Sequence, residues 1–387
     1  MNKVAILGST GSIGSSLIEI IKKDKKNFKI ELLTANTNYK KLIKQTKFFN
    51  VKNIIITDKK NFLITKKILQ NKNINIYNNF DVLKKIFKNK KIDYSMSAIS
   101  GFDGLKPTLN IIKFTKTIAI ANKESIICGW NLIEQKLKKY RTNFIPIDSE
   151  HFSIWSLINN TKNEMLEKIY ITASGGPFRK YELKQFKDIT PKKALKHPNW
   201  SMGKKISIDS ATMMNKVFEI IEAKKIFKFK YSQLEILLHP QSYLHAIVKF
   251  NNGLTKLLIH DTNMTIPIFN SLYPNFEKKI KSKVLNVNIL NNLSLEKIDI
   301  KRFPVIKIIK ELGDMNSLFE TVIVSANDKL VDRFLKNEIK FIDISTILLK
   351  IINLNEFKKL KKIMPKNIDE IEKLANYVSL KTALMSV

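Results

Sequence analysis

The sequence predicts an α/β protein in three parts: an N-terminal doubly wound Rossmann-type domain, an α/β catalytic and connective domain whose sheet contains antiparallel strands, and a C-terminal helical bundle. Three observations predict it. Short apolar runs alternate with helical spacing up to about residue 150, the pattern of a parallel sheet with crossover helices. Further on, Asn251-Asn252-Gly253 separates two strand-like runs, a hairpin signal because Asn-Gly accepts positive φ. From Arg302 onward, apolar residues recur at helical spacing.

The chain has 387 residues, more than one core usually supports, so two or three domains are expected. Its single cysteine, Cys128, excludes an internal disulfide and fits a reducing, cytoplasmic setting. The first residues run straight into a strand and a glycine loop, unlike a secretory signal. No apolar run approaches the ~20 residues of a membrane helix. The net charge of +34 raises a nucleic-acid reading, yet arginine occurs only at Arg141, Arg179, Arg302 and Arg333. Specific nucleic-acid surfaces favour arginine for bidentate contacts, so the dispersed lysines predict attraction of anionic small molecules instead.

In chain order, Lys3 to Leu7 reads as a strand, Gly8-Ser9-Thr10-Gly11-Ser12-Ile13-Gly14 as a phosphate-cradling loop, and Ser15 to Lys22 as a helix. The spacing is G-x-x-G-x-x-G, which alone also suits a turn that holds nothing. The second strand, Lys29 to Thr34, has no acid at its end to hold a ribose 2′-OH. Asn36-Thr37-Asn38 and then Lys40-Lys41 follow, which favours NADP(H). Strands at 53–57, 92–99 and 117–121 and helices at 61–70 and 105–113 continue the alternation. Ligands in such sheets sit beyond the strand carboxyl ends, where Asn122, Lys123 and Glu124 fall.

Phe144 to Ile147 leads into Asp148-Ser149-Glu150-His151. Read as extended chain, Asp148 and Glu150 share a face and could converge on Mg²⁺ or Mn²⁺. The other reading is a helix N-cap with acids in its first turn. Residues 174–203, opened by glycines and a proline and holding His197, Trp200 and Met202, read either as a lid or as a surface loop. Residues 205–209 read as a strand and 210–219 as entry to a helix, where Ser210, Asn215, Lys216 and Glu219 offer phosphate donors and a metal carboxylate. A surface Lys–Glu pair gives the same spacing. His239, His245 and His260 read as structural, and no Cys/His cluster suggests zinc. Residues from about 280 to 300 read as a connection.

Together, Gly8 to Gly14, Ala121 to Ser125, Asp148 to His151, Ser174 to Arg179, His197 to Gly203 and Ser207 to Lys216 resemble the 1-deoxy-D-xylulose 5-phosphate reductoisomerase family over essentially the whole chain. The resemblance implies metal- and NADPH-dependent rearrangement and reduction to 2-C-methyl-D-erythritol 4-phosphate, in the non-mevalonate isoprenoid pathway. It implies Asp148, Glu150 and Glu219 as ligands of Mg²⁺, Mn²⁺ or Co²⁺, with Lys123 and His197 joining them as catalytic residues. Lys123, Ser149, Glu150, Ser174, His197, Ser210, Asn215, Lys216 and Glu219 would bind substrate. Thr10, Gly11, Ser12, Ile13, Asn36, Thr37, Asn38, Asn122, Glu124 and Gly203 would bind NADPH. The family carries Gly-Lys-Asn where this chain has Asn36-Thr37-Asn38, and Gly-Leu where it has Val217-Phe218. The implied organisation is a cofactor domain (1–147), a catalytic and dimerisation domain (148–285) with a lid at 174–203, a linker (286–300) and a helical bundle (301–387). A cytoplasmic homodimer with no nucleic-acid or membrane partner is expected. A simple dehydrogenase of the glucose-6-phosphate or homoserine type, and an RNA-binding protein, are the alternatives.

Overall fold

The structure is a computed structural model; it describes residues 1–387 except 71, 89, 160, 201, 276, 277 and 387. The chain forms two compact units, residues 1–125, 132–152 and 264–281 in the first and 126–131, 153–263 and 282–387 in the second.

The first unit is built on a seven-stranded parallel sheet: β1 (Asn2–Leu7), β2 (Phe28–Ala35), β3 (Asn53–Ile56), β4 (Asn75–Tyr77), β5 (Ile92–Ser97), β6 (Thr115–Ile120) and β7 (Asn143–Pro146). The spatial order is β4-β3-β2-β1-β5-β6-β7. The order reverses direction after β1, so the ends of β1 and β5 flank the crevice where such sheets hold ligands. Strands buried on both faces require continuous apolar runs. Val4 to Leu7 and Ile54 to Ile56 supply them and are fully buried. The helix Ser12–Lys23 buries Leu17, Ile18, Ile20 and Ile21 and leaves Lys22 and Lys23 in its last turn, where cations suit the helix dipole. The helix Thr265–Leu272, from a later stretch of the chain, packs against it through Ile268 and Leu272.

The second unit holds a five-stranded mixed sheet of β8 (Leu166–Ala173), β9 (Leu234–Leu238), β10 (Leu244–Phe250), β11 (Thr255–Ile259) and β12 (Glu296–Lys297), in the order β11-β10-β8-β9-β12. β10 and β11 are antiparallel across the Asn251–Gly253 turn, as the Asn-Gly signal predicts. The helices Phe319–Leu335, Phe341–Ile352 and Ile368–Leu384 belong to this same compact unit. Phe319, Phe334, Phe341 and Val378 lie in its core.

Three local expectations are corrected. Residues 205–209 are not a strand: they lie in the helix Lys204–Thr212. The alternation of Ile206 and Ile208 mimics a half-buried strand, yet Ile206 is 40% exposed while Ser207, Ile208, Ala211 and Thr212 form the buried face. Asp209 anchors that helix by accepting from Asn327 Nδ2 at 2.7 Å, a contact 118 residues away that overrides the local β preference. Residues 148–150 are not extended, because the helix Ser149–Leu157 begins there. The connecting stretch contains the helix Val287–Asn291 and β12.

Candidate functional site

In the first unit, the helix Ser12–Lys23 begins at Gly11 with no side chain capping it and no acid in its first turn. Gly11 and Ser12 at this helix start are exposed, and an uncapped helix N-terminus suits an anion. Gly14 explains the tightness of the loop: a Cβ there would lie 2.3 Å from the Gly8 carbonyl oxygen. Thr34 Oγ1 accepts from Gly8 N at 2.9 Å, tying the loop to the end of β2. Thr10, Gly11, Ser12 and Ile13 are thus held in a tight, tethered loop at the start of this helix. Asn38 caps the helix Tyr39–Phe49, accepting from Lys41 N at 3.1 Å. Asn36 and Thr37 are exposed just before it.

Asn122 caps the helix Lys123–Tyr140 and donates from Nδ2 to the Gly101 and Ile99 carbonyls. Its side chain therefore clamps the loop after β5, and buried Glu124 occupies the first helical turn. Lys123 forms an ion pair with Asp148 across the ends of β6 and β7. The Asp148 carbonyl accepts the first helical bond, from Phe152 N at 2.7 Å, and its Oδ1 accepts weakly from Glu150 N at 3.3 Å. Asp148 is thus an N-cap with Glu150 one turn position inside. The geometry seen is that of the cap reading, and a helix N-terminus favours ionised carboxylates. Burial pushes the Asp148 carboxyl up, but Lys123 and His151 override it and hold it well below the usual carboxylate range. His151 is fully buried, its Nδ1 3.5 Å from Asp148 Oδ1. Ser149 donates to Glu150 Oε2. Asp148 and Glu150 offer hard oxygen donors, the kind Mg²⁺ and Mn²⁺ take.

In the second unit, β8 ends at Ala173 and the chain turns through Ser174-Gly175-Gly176. Gly176 has φ +65°, and a Cβ on it would lie 2.9 Å from the Ser210 carbonyl oxygen. Only a glycine lets this loop lie against the Lys204–Thr212 helix. Ser174 Oγ contacts His197 Nε2 at 3.2 Å. Backbone N–H groups of Asn199 and Trp200 donate to His197 Nδ1 at 3.2 and 3.0 Å. An accepting Nδ1 carries no proton, so the neutral ring presents Nε2–H as a donor toward Ser174. Burial, reinforced by Lys216, pushes the imidazole down to about 4.

Met213, in the left-handed conformation, ends one helix and starts the next, Met214–Phe227. That break lets Ser210, Asn215 and Lys216 occupy one short bend. Lys216 and Asn215 both donate to Glu219. The side chains of Lys216 and Glu219 are 9% and 1% exposed, which excludes the surface-pair reading. Buried Glu222 lies one turn beyond Glu219.

Parts of the segment 174–203 are anchored. Phe178, Phe186, Ile189 and Ala194 are buried, and Arg302 donates to the Phe178 and Tyr181 carbonyls. Asn199 Nδ2 donates to Pro240 O and Ser242 Oγ, both at 2.8 Å. The Trp200 ring meets His245 edge-on at 6.1 Å. Gly203 is the exposed N-cap of the following helix. Ser201, within this segment, lies outside the described residues.

An uncapped glycine-loop helix on a parallel sheet, with paired lysines and carboxylates and a neutral histidine elsewhere, defines a class: a dinucleotide-binding α/β enzyme that handles an anionic substrate beside hard-cation ligands. Family models narrow the class. That for 1-deoxy-D-xylulose 5-phosphate reductoisomerase matches residues 4–129, and those for its C-terminal domains match 144–227 and 260–379. The reductoisomerase of Pelagibacter ubique is 71% identical over 388 aligned residues, covering 100% of each chain. That of Clostridium novyi is 38% identical and covers 94% of this chain and 95% of its own. The Zymomonas mobilis enzyme, solved in complex with NADPH, superposes with a TM-score of 0.88 at 32% identity, covering 99% of this chain and 98% of its own. A DOX-P reductoisomerase solved with NADPH, fosmidomycin and magnesium gives 0.90 at 29% identity, over the same shares. The chain belongs to the 1-deoxy-D-xylulose 5-phosphate reductoisomerase family.

Proposed function

We propose that this chain rearranges and reduces 1-deoxy-D-xylulose 5-phosphate to 2-C-methyl-D-erythritol 4-phosphate with NADPH and a divalent cation, a step toward isoprenoid precursors. The full-length 71% identity to a named reductoisomerase carries the reading. Asp148, Glu150 and Glu219 are the proposed ligands of the cation, Mg²⁺ or Mn²⁺. When bound, the cation polarises the substrate's carbonyl and hydroxyl oxygens, and NADPH supplies hydride.

The chain's own residues do the rest. Lys123 and Ser149 orient the substrate beside the carboxylates. Ser174, His197, Ser210, Asn215 and Lys216 bind the substrate phosphate. Lys216 supplies charge and His197 supplies a neutral Nε2–H donor that does not compete for protons. Phosphate binding far from the reacting carbons supplies energy to close residues 174–203 and exclude water. Thr10 to Ile13, Asn36 to Asn38, Asn122, Glu124 and Gly203 are the proposed NADPH contacts. The proposed organisation keeps residues 1–147 for cofactor, 148–285 for catalysis and dimerisation, 286–300 as linker and 301–387 as helical bundle. Among the described residues, no helix is long and apolar enough to cross a membrane. We place the enzyme in the cytoplasm as a homodimer.

The test is NADPH oxidation followed at 340 nm. Turnover should require both the ketose phosphate and Mg²⁺ or Mn²⁺, and stop with EDTA. Glu219→Gln should lower kcat by roughly 10²-fold or more, the scale of a lost charge-stabilising group. Undiminished turnover in EDTA would refute the metal requirement, and near-normal Glu219→Gln would remove that residue from the site.

A further inference from the structure

The end of β2 poses a charge problem. Where an acid would greet a ribose hydroxyl, the strand ends Leu33-Thr34-Ala35, and the exposed loop 36–38 carries no charge. Two lysines follow, and the sequence does not distinguish them. The structure does.

Lys40 is exposed, and no side-chain bond of its own joins it to the glycine loop among the described residues. Lys41 is half-buried and reaches back across the cradle. Its Nζ donates to the Thr10 carbonyl at 3.2 Å and to Ser15 Oγ at 2.5 Å. One turn further along the same face, Gln45 Nε2 donates to the Ser9 carbonyl at 2.9 Å, and Ser9 Oγ donates back to Gln45 Oε1 at 2.8 Å. The i, i+4 pair Lys41 and Gln45 therefore rivets the Tyr39–Phe49 helix to the loop 9–15. Gln45 is 7% exposed, so the rivet is rigid and fixes where the ammonium points.

Two features set this lysine apart from the many solvated ones. It sits in the first turn of its helix, where the dipole disfavours a cation and no acid is present to offset it. Its partners are neutral oxygens, and none of the ion pairs among the described residues includes it. A cation placed against its helix dipole and left with neutral partners is explained by an anion that binds between β2 and the loop. The pyrophosphate is assigned above to the N–H groups at the start of the preceding helix, Ser12–Lys23. The remaining anion on the cofactor is the 2′-phosphate.

We propose that Lys41 is the residue that selects NADPH over NADH, by holding the 2′-phosphate against the glycine loop. The inference rests on the cofactor site proposed above. The experiment measures dissociation constants of NADPH and NADH, by calorimetry on the full-length protein without substrate, for the wild type, Lys41→Gln, Lys41→Arg and Lys40→Gln. Wild type should bind NADPH more tightly. Lys41→Gln should weaken NADPH about tenfold or more, the scale of one charge-assisted hydrogen bond, with NADH unchanged. Lys41→Arg should retain most of the preference, and Lys40→Gln should match the wild type. Equal weakening of both nucleotides would assign Lys41 to the pyrophosphate and overturn the proposal, as would an unchanged preference. A wild type that binds neither nucleotide would overturn the cofactor site itself and this inference with it. Thermal melting of each variant separates lost binding from lost folding: Lys41→Gln that melts early yet still prefers NADPH also overturns it.

Discussion

Glu219 shows how much one residue's surroundings matter. A carboxylate with 1% exposure survives in a protein interior only if it is paired and hydrogen-bonded. Lys216 and Asn215 do both. Lys216→Met should therefore leave a buried charge uncompensated and cost about 3 kcal/mol in metal-free protein, measured by urea unfolding in EDTA. Adding Mn²⁺ should recover part of the loss if Glu219 is a metal ligand. A loss under about 0.5 kcal/mol would place the pair in the weak class of surface bridges. These residues were legible in the sequence as a motif, but not as a buried pair. The spacing of Lys216 and Glu219 is identical on a solvated helix.

At the level of elements, the strand–loop–helix at the N-terminus was readable because local rules act together: an apolar run, glycines, then helical spacing. Its precision depends on contact between two elements. The Gly14 position meets the Gly8 and Ser9 backbone, and backbone cannot swing aside as a side chain can. Gly14→Ala should force the Ser12–Lys23 helix off the loop, lower stability by roughly 1–3 kcal/mol and weaken NADPH binding. Wild-type affinity and melting would show that the loop yields. The helix Lys204–Thr212 is the opposite case. Its isoleucines alternate as in a strand, while Asp209's bond to Asn327 and the burial of Ile208 and Ala211 hold it as a helix. A local window cannot contain a partner 118 residues away.

For the molecule as a whole, β11 is an edge strand of the second sheet. Leu254 just before it and Leu257 within it are 59% and 48% exposed. An antiparallel edge with exposed leucines invites pairing with another copy. The wild type should run as a dimer in light scattering at micromolar concentration, and Leu257→Lys should shift it toward monomer. A monomeric wild type would remove the dimer from the account. The net charge of +34 belongs to this scale too. It draws anions toward the protein, but it chose no partner and placed no catalytic group.

Order and type of most elements followed from residues alone, because hydrophobic period and turn chemistry are short-range properties of the chain. The candidate site residues could also be named, because Asp148-Ser149-Glu150-His151 and Ser207 to Lys216 are long and unusual blocks that carry the family resemblance. Tertiary structure decided what depends on distance and dielectric. It made Asp148 a helix cap held ionised by Lys123 and His151, buried Glu219, set the tautomer of His197, and joined Lys41 rather than Lys40 to the glycine loop. Each of these is fixed by a neighbour's position or by exclusion of water, and neither quantity exists until the chain has folded.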